Sequence, residues 1–199
     1  MSTDHLLRIA TAVMALHVAS AGAQAVHRCA GSAHTIDGVL AFDARATVGQ
    51  FRGETRAVRG AASCADSLGS TMGYVETDVR SIKTGNGMRD RDMYASLNAS
   101  TYPVIRFDLI NISPGATLAS GGIGAILHGQ LHVNGVTRTI DAPATIYEQA
   151  DSTRLQAAFP VSLGSFRLTG LSKLFGVLKV DDGITVSIDL TFATDSTRT

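Results

Sequence analysis

No sign of charge predominates in this chain: 17 lysines and arginines stand against 17 aspartates and glutamates in 199 residues. A nucleic-acid surface needs a basic excess, so nucleic acid is not a partner, and long-range attraction to anionic membranes is disfavoured on the same ground. Nucleophile motifs are missing as well. No serine stands in a Gly-x-Ser-x-Gly elbow, Ser172 and Lys173 are adjacent rather than spaced as Ser-x-x-Lys, and no cysteine lies near a histidine-bearing motif. With no glycine-rich loop between a strand and a helix either, the sequence reads as a non-enzyme that uses no cofactor. Tryptophan is absent and other aromatics are few, while 20 glycines suit a single domain rich in turns.

Long apolar runs are also lacking. The one near the start, Ile9 to about Ala19, is interrupted by His17 and is too short to span a bilayer comfortably. With Arg8 before it and Ala23-Gln24-Ala25 after it, residues 1–25 read as a cleavable secretory signal. That leaves residues 26–199 as one exported domain, and the expected location is the periplasm. Only two cysteines occur, Cys29 and Cys64, and an oxidising compartment would allow them to pair. Closing that loop would contribute about 3 to 4 kcal/mol in the loop-entropy account; two unpaired thiols are the alternative, since nothing in the spacing shows proximity. Val26, His27 and Arg28 stand where a lipoprotein cysteine would need small residues before it.

What is plentiful is alternation. Leu40, Phe42, Ala44, Ala46 and Val48 share one strand face, and Phe51, Gly53, Thr55 and Ala57 share the next, opposite Arg52, Glu54 and Arg56. Residues 60–70 read as a loop carrying Cys64. From Met72 to Ile82, Val75, Thr77 and Val79 alternate with Glu76, Asp78 and Arg80. Beyond a Pro114-Gly115 loop, Leu127, Gly129, Leu131 and Val133 point one way and His128, Gln130 and His132 the other. Asn134-Gly135 then predicts a two-residue hairpin, because both central positions of a type I′ turn need positive φ. Ile140, Ala142, Ala144 and Ile146 continue the apolar face, and Pro143 predicts an edge or bulge. Residues 154–163 and 184–192 alternate as cleanly, around an insert, residues 164–176, that carries Phe166, Leu168 and Phe175. About eight one-sided strands with a single short helix predict an all-β, antiparallel, eight-stranded barrel, because closure removes exposed edges.

The helix falls in residues 88–107, MRDRDMYASLNASTYPVIRF. Met93 and Leu97 are helix neighbours, Tyr102-Pro103 ends the helical segment, and Ile105, Phe107 and Leu109 resume an apolar strand face. Ser81-Ile82-x-Thr84-Gly85, then Arg89-Asp90, a short helix and Tyr-Pro-x-Ile-x-Phe resemble the signature of the YceI-like family of bacterial polyisoprenoid-binding proteins. GQLHVNGVTRTIDAP resembles a second landmark of that family. The resemblance spans roughly Thr35 to Phe192. It implies a lipocalin-like barrel holding an isoprenoid or similar lipid, with Arg89 and Asp90 as a structural landmark. The chain departs from the family pattern at Arg91-Asp92-Met93 and at Leu163-Gly164-Ser165-Phe166.

Holding such a lipid requires an apolar tube. Burying three or four isoprene units offers on the order of 10 kcal/mol before the cost of immobilising the tail. By strand parity, Phe107, Leu127, Leu131, Ile140, Phe159, Phe166, Leu168 and Phe175 are the expected lining and lid. Small inward residues, Gly53, Gly129, Ala142, Ala144 and Ala157, suggest room inside. The expected ligand is a polyisoprenoid, an isoprenoid quinone or a fatty-acid-like lipid, and a homodimer is left open. The rival reading is a filled barrel acting as a ligand-free structural or stress-response interaction module. No metal site is expected. His128 and His132 are about 13 Å apart along a strand, and Asp90 and Asp92 suit a helix start.

Overall fold

The computed structural model describes residues 31–47, 49–168, 172–173 and 178–195. The expected signal, Cys29 and Phe175 lie outside them. Strands β1 (Gly31–Ala46), β2 (Gly49–Thr55), β3 (Val58–Cys64) and β4 (Met72–Asp78) precede helix α1 (Gly87–Ser96). After it come β5 (Val104–Thr117), β6 (Ile123–Val133), β7 (Val136–Glu148), β8 (Ser152–Ser162), the short pair β9 (Ser172–Lys173) and β10 (Leu178–Lys179), and β11 (Gly183–Asp195).

The sheet runs β11-β8-β7-β6-β5-β4-β3-β1-β2 and closes where β1 pairs with β11. Two strands share one flank of β1: its first residues pair with β3, from Gly31 opposite Cys64, and its last with β2, from Leu40 opposite Thr55. The circumference is therefore eight strands, a closed antiparallel barrel with one short helix. Among the described residues no helix is long and apolar enough to cross a membrane.

Three sequence expectations change here. β1 starts at Gly31, well before Leu40, and the stretch read as one strand from Phe51 is broken at Arg56–Ala57. Residues 60–64, expected to be loop, belong to β3. Their Gly-Ala-Ala-Ser composition has weak strand propensity, and pairing on both sides, to β1 and β4, overrides it. Cys64 ends that strand and is disulfide-bonded.

The crossover matches its sequence logic. Asn86 caps α1, its side chain accepting from the backbone N–H groups of Met88 and Arg89 at 3.0 and 3.1 Å. The helix ends at Leu97, and β5 begins directly after Pro103. Asn134 and Gly135 take φ values of 52° and 71°, the tight β6–β7 turn expected of Asn-Gly. Tyr102 lies against Gly135, and the Asn98 amide donates to the Asn134 carbonyl at 2.7 Å, so the crossover is bolted to that hairpin.

Candidate functional site

Parity divides the wall as expected. Leu127, Leu131, Ala142, Ala144, Ala157 and Phe159 are buried and belong to one apolar cluster inside the barrel. Phe166, only 1% exposed, and Leu168 join it from the 3₁₀ turn Gly164–Phe166, and the Phe166 carbonyl accepts from the Asn134 amide at 3.1 Å. At the far end Leu68 packs with Ile112 into the same cluster. Phe107 and Ile140 belong to a second set, packed against the cluster yet half-buried. Ile105, Leu109, Val186 and Ile188 share that state. Seven of the eight expected lining residues thus meet at one interior, and the eighth, Phe175, lies outside the described residues.

That half-buried state is informative. These side chains point inward, away from the charged outer face, and a close-packed interior would leave them no exposed area. The inner wall along β5 and β11 therefore keeps area that water can reach, while the part along β6 is packed.

Gly53 and Gly129 do not leave room for a guest. A Cβ at Gly53 would collide with the Phe42 ring, and one at Gly129 with the Phe107 ring and the Asp108 carbonyl. Each glycine seats a cross-strand phenyl ring, which covers the bare backbone. Ala142, Ala144 and Ala157 are likewise buried.

The wall itself opens at one place. β7 and β8 pair only from Ala144–Ala157 to Glu148–Thr153. Beyond that point Val136–Pro143 is held by β6 alone and Ala158–Ser162 by β11 alone. Pro143 and Pro160 stand on the two parting edges and have no N–H to offer a ladder. Ile140, Val161 and Leu163 border the parting, and Arg138, at an inward-facing position, is exposed beside it.

Arg89 and Asp90 hold the crossover. The buried Asp90 carboxylate accepts from the Thr84 backbone N–H at 2.8 Å and its hydroxyl at 2.6 Å. The Thr84 hydroxyl is the main reason the Asp90 carboxyl is held below the usual carboxylate range, with Lys83 and Arg89 adding smaller charge effects. Arg89 donates from Nε to the Thr84 hydroxyl at 2.9 Å and from an Nη to its carbonyl at 2.7 Å. Its guanidinium also lies 4.6 Å from the centre of the Phe51 ring.

Outside, polar side chains bridge strand to strand. Arg106 reaches Glu76 at 3.0 Å and Asp108 at 2.7 Å, His132 Nε2 is 2.9 Å from Asp108, and Arg154 grips Asp189 with two bonds. Arg154 is the leading reason that the Asp189 carboxyl is held low. A groove of about 980 Å³ runs along this outer wall between Arg52, Arg56, Thr145 and Arg154. None of the eight expected lining residues borders it, whereas Ala144, Ala157 and Ile188 do. No group of three metal-ligating side chains occurs among the described residues.

A closed antiparallel barrel with an apolar interior, and with its cross-strand ion pairs on the outer wall, defines a lipocalin-like binding fold. The chain belongs to the YceI-like family, whose domain model matches residues 24–192. Solved structures agree in fold. BcnA from Burkholderia cenocepacia has a TM-score of 0.66 at 17% identity, covering 77% of this chain and 95% of its own. A polyisoprenoid binding domain from Saccharophagus degradans implicated in plant cell wall breakdown has a TM-score of 0.64 at 14% identity, covering 83% and 99%. The YceI protein of Campylobacter jejuni gives 0.51 at 16% identity, covering 63% and 73%. No curated protein matches the chain.

Proposed function

We propose that this chain is an exported, periplasmic carrier that holds a polyisoprenoid, an isoprenoid quinone or a fatty-acid-like lipid in its barrel. Export follows from the signal-like residues 1–25, and the lipid class from membership in a family with a polyisoprenoid-binding relative. The observation that carries the reading is the row of inward, apolar, half-buried side chains on β5 and β11, Ile105, Phe107, Leu109 and Val186. A hydrocarbon tail laid along them removes their residual area from water and gains about 0.8 kcal/mol per buried methylene. The tail enters where β7 and β8 part, and the polar head stays at that rim near Arg138.

Native mass spectrometry of protein purified from its own periplasm tests this. One lipid per chain, extractable into organic solvent, is the expected result. Protein that is repeatedly empty and takes up neither polyprenols nor quinones overturns it and favours the filled-barrel interaction module.

A further inference from the structure

The outer wall carries a constellation that barrel closure does not require. Two cross-strand rows lie side by side over β5, β6 and β7. Asn111, His128 and Asp141 face one another in register, and Ser113, Ile126 and Pro143 form the next row. Ser113 Oγ lies 2.9 Å from His128 Nε2, and His128 Nδ1 lies 2.7 Å from Asp141 Oδ1. This is a hydroxyl, an imidazole and an orienting carboxylate joined in sequence by hydrogen bonds, an arrangement recognised by geometry and not by chain order. The Asp141 carboxylate fixes the imidazole proton on Nδ1, leaving Nε2 free to accept from Ser113.

The surroundings supply two further needs of acyl transfer. Asn111 is exposed on the same strand face two residues before Ser113, so a carboxamide N–H donor is available for a developing oxyanion. Ile126, 36% exposed, stands directly across from Ser113, with Pro143 exposed beyond it. Together they offer an apolar strip for a short acyl chain. The β5–β6 ladder shifts register on both sides of Ser113, between Leu109 and Asn111 and between Pro114 and Thr117, so the serine sits on a locally distorted strand.

We propose that Ser113, His128 and Asp141 form an ester-cleaving site on the outer wall that takes short-chain carboxylic esters. Ser113 Oγ adds to the ester carbonyl as its proton passes to His128 Nε2. The tetrahedral intermediate then collapses, breaking the bond to the leaving oxygen, which takes that proton and departs as the alcohol. Water, deprotonated by His128, attacks the acyl-serine, releasing the carboxylic acid and restoring the Ser113 hydroxyl. Ser113 and His128 are the catalytic residues, and Asp141 is a positioning residue. The site is open to solvent, so turnover is slow.

The test uses the purified protein, an alkyl fluorophosphonate and p-nitrophenyl butyrate. One phosphonyl adduct mapping to Ser113 is expected, with hydrolysis falling at least about tenfold in Ser113→Ala and His128→Gln. Asp141→Asn lowers kcat while leaving KM near the parent value, because the carboxamide no longer holds the imidazole in the orientation that presents Nε2 to Ser113. Melting temperature and lipid occupancy stay at the parent values in Ser113→Ala, which separates this site from the interior. An unlabelled Ser113 together with equal butyrate hydrolysis by parent and Ser113→Ala overturns the proposal.

Discussion

Val186→Trp separates a hollow interior from a packed one. Val186 faces inward on β11 between Phe42 of β1 and Phe159 of β8, and it is half-buried. In a close-packed core the larger indole would cost about 1–3 kcal/mol of overpacking. At this chain length that is a fall of roughly 2–12 °C in Tm. Where open space lies before the side chain, the ring enters it, and Tm stays within about 2 °C of the parent. The indole then takes the place of tail. Displacing one five-carbon unit forfeits about 4 kcal/mol, a weakening on the order of a thousandfold. Thermal melting and titration with a polyprenol of three or four isoprene units read both quantities on one preparation. Lost affinity at unchanged Tm is the expected pair. A variant that melts several degrees lower and binds the polyprenol as tightly as the parent refutes the reasoning, because the tail would then lie elsewhere and the space would be filled.

Asp90→Asn weakens the charge-assisted bonds to Thr84 and is expected to cost about 1–3 kcal/mol by denaturant unfolding. Because the native Asp90 carboxyl is held below its ordinary value, its contribution is complete above the usual carboxylate range and is lost as pH falls through its native-state value. Parent Tm therefore drops on acidification below about pH 4, and the Asn variant shows a shallower drop. Gly129→Ala places a methyl against the Phe107 ring and the Asp108 carbonyl, and the unmovable carbonyl makes the cost about 1–3 kcal/mol in the same unfolding assay. Gly135→Ala, at φ 71° and under Tyr102, is expected to cost about 1 kcal/mol or more, read as a lower denaturant midpoint.

Strand faces were legible because side-chain direction repeats every two residues, and most inward positions on β5 to β8 and β11 carry apolar residues. The Asn134-Gly135 turn and the break at Tyr102-Pro103 were legible because each depends on a backbone preference of the residues themselves. β3 was not, since Gly-Ala-Ala-Ser has no pattern to read and is a strand only through its two neighbours. Nor was the occupancy of Gly53 and Gly129, which depends on which ring lies across the ladder. The association of Ser113, His128 and Asp141 was not legible for the same reason: they come from three strands, and only the cross-strand register brings them within bonding distance. The parting of β7 and β8 was half legible, in that Pro143 marked a lost donor while its counterpart Pro160 drew no attention.

The Arg-Asp landmark has a role that its local hydrogen bonds do not exhaust. The Arg89 guanidinium covers Phe51, Phe51 meets Phe42 edge to face with ring centres 6.0 Å apart, and Phe42 lies over Gly53. Phe42 and Phe51 occupy inward positions of β1 and β2, next to Val186 of β11. A cation held by Thr84 at the crossover is thereby linked through two rings to the open side of the inner wall. Thr84 depends in turn on Asp90, so the pair fixes two things together, the helix start and the ring that borders the space beside β11. Loss of the guanidinium leaves the Asp90–Thr84 bonds intact but frees Phe51. The barrel keeps its crossover while Phe51 loses the cation that covers its ring, so the landmark acts on the inner wall as well as on the helix start.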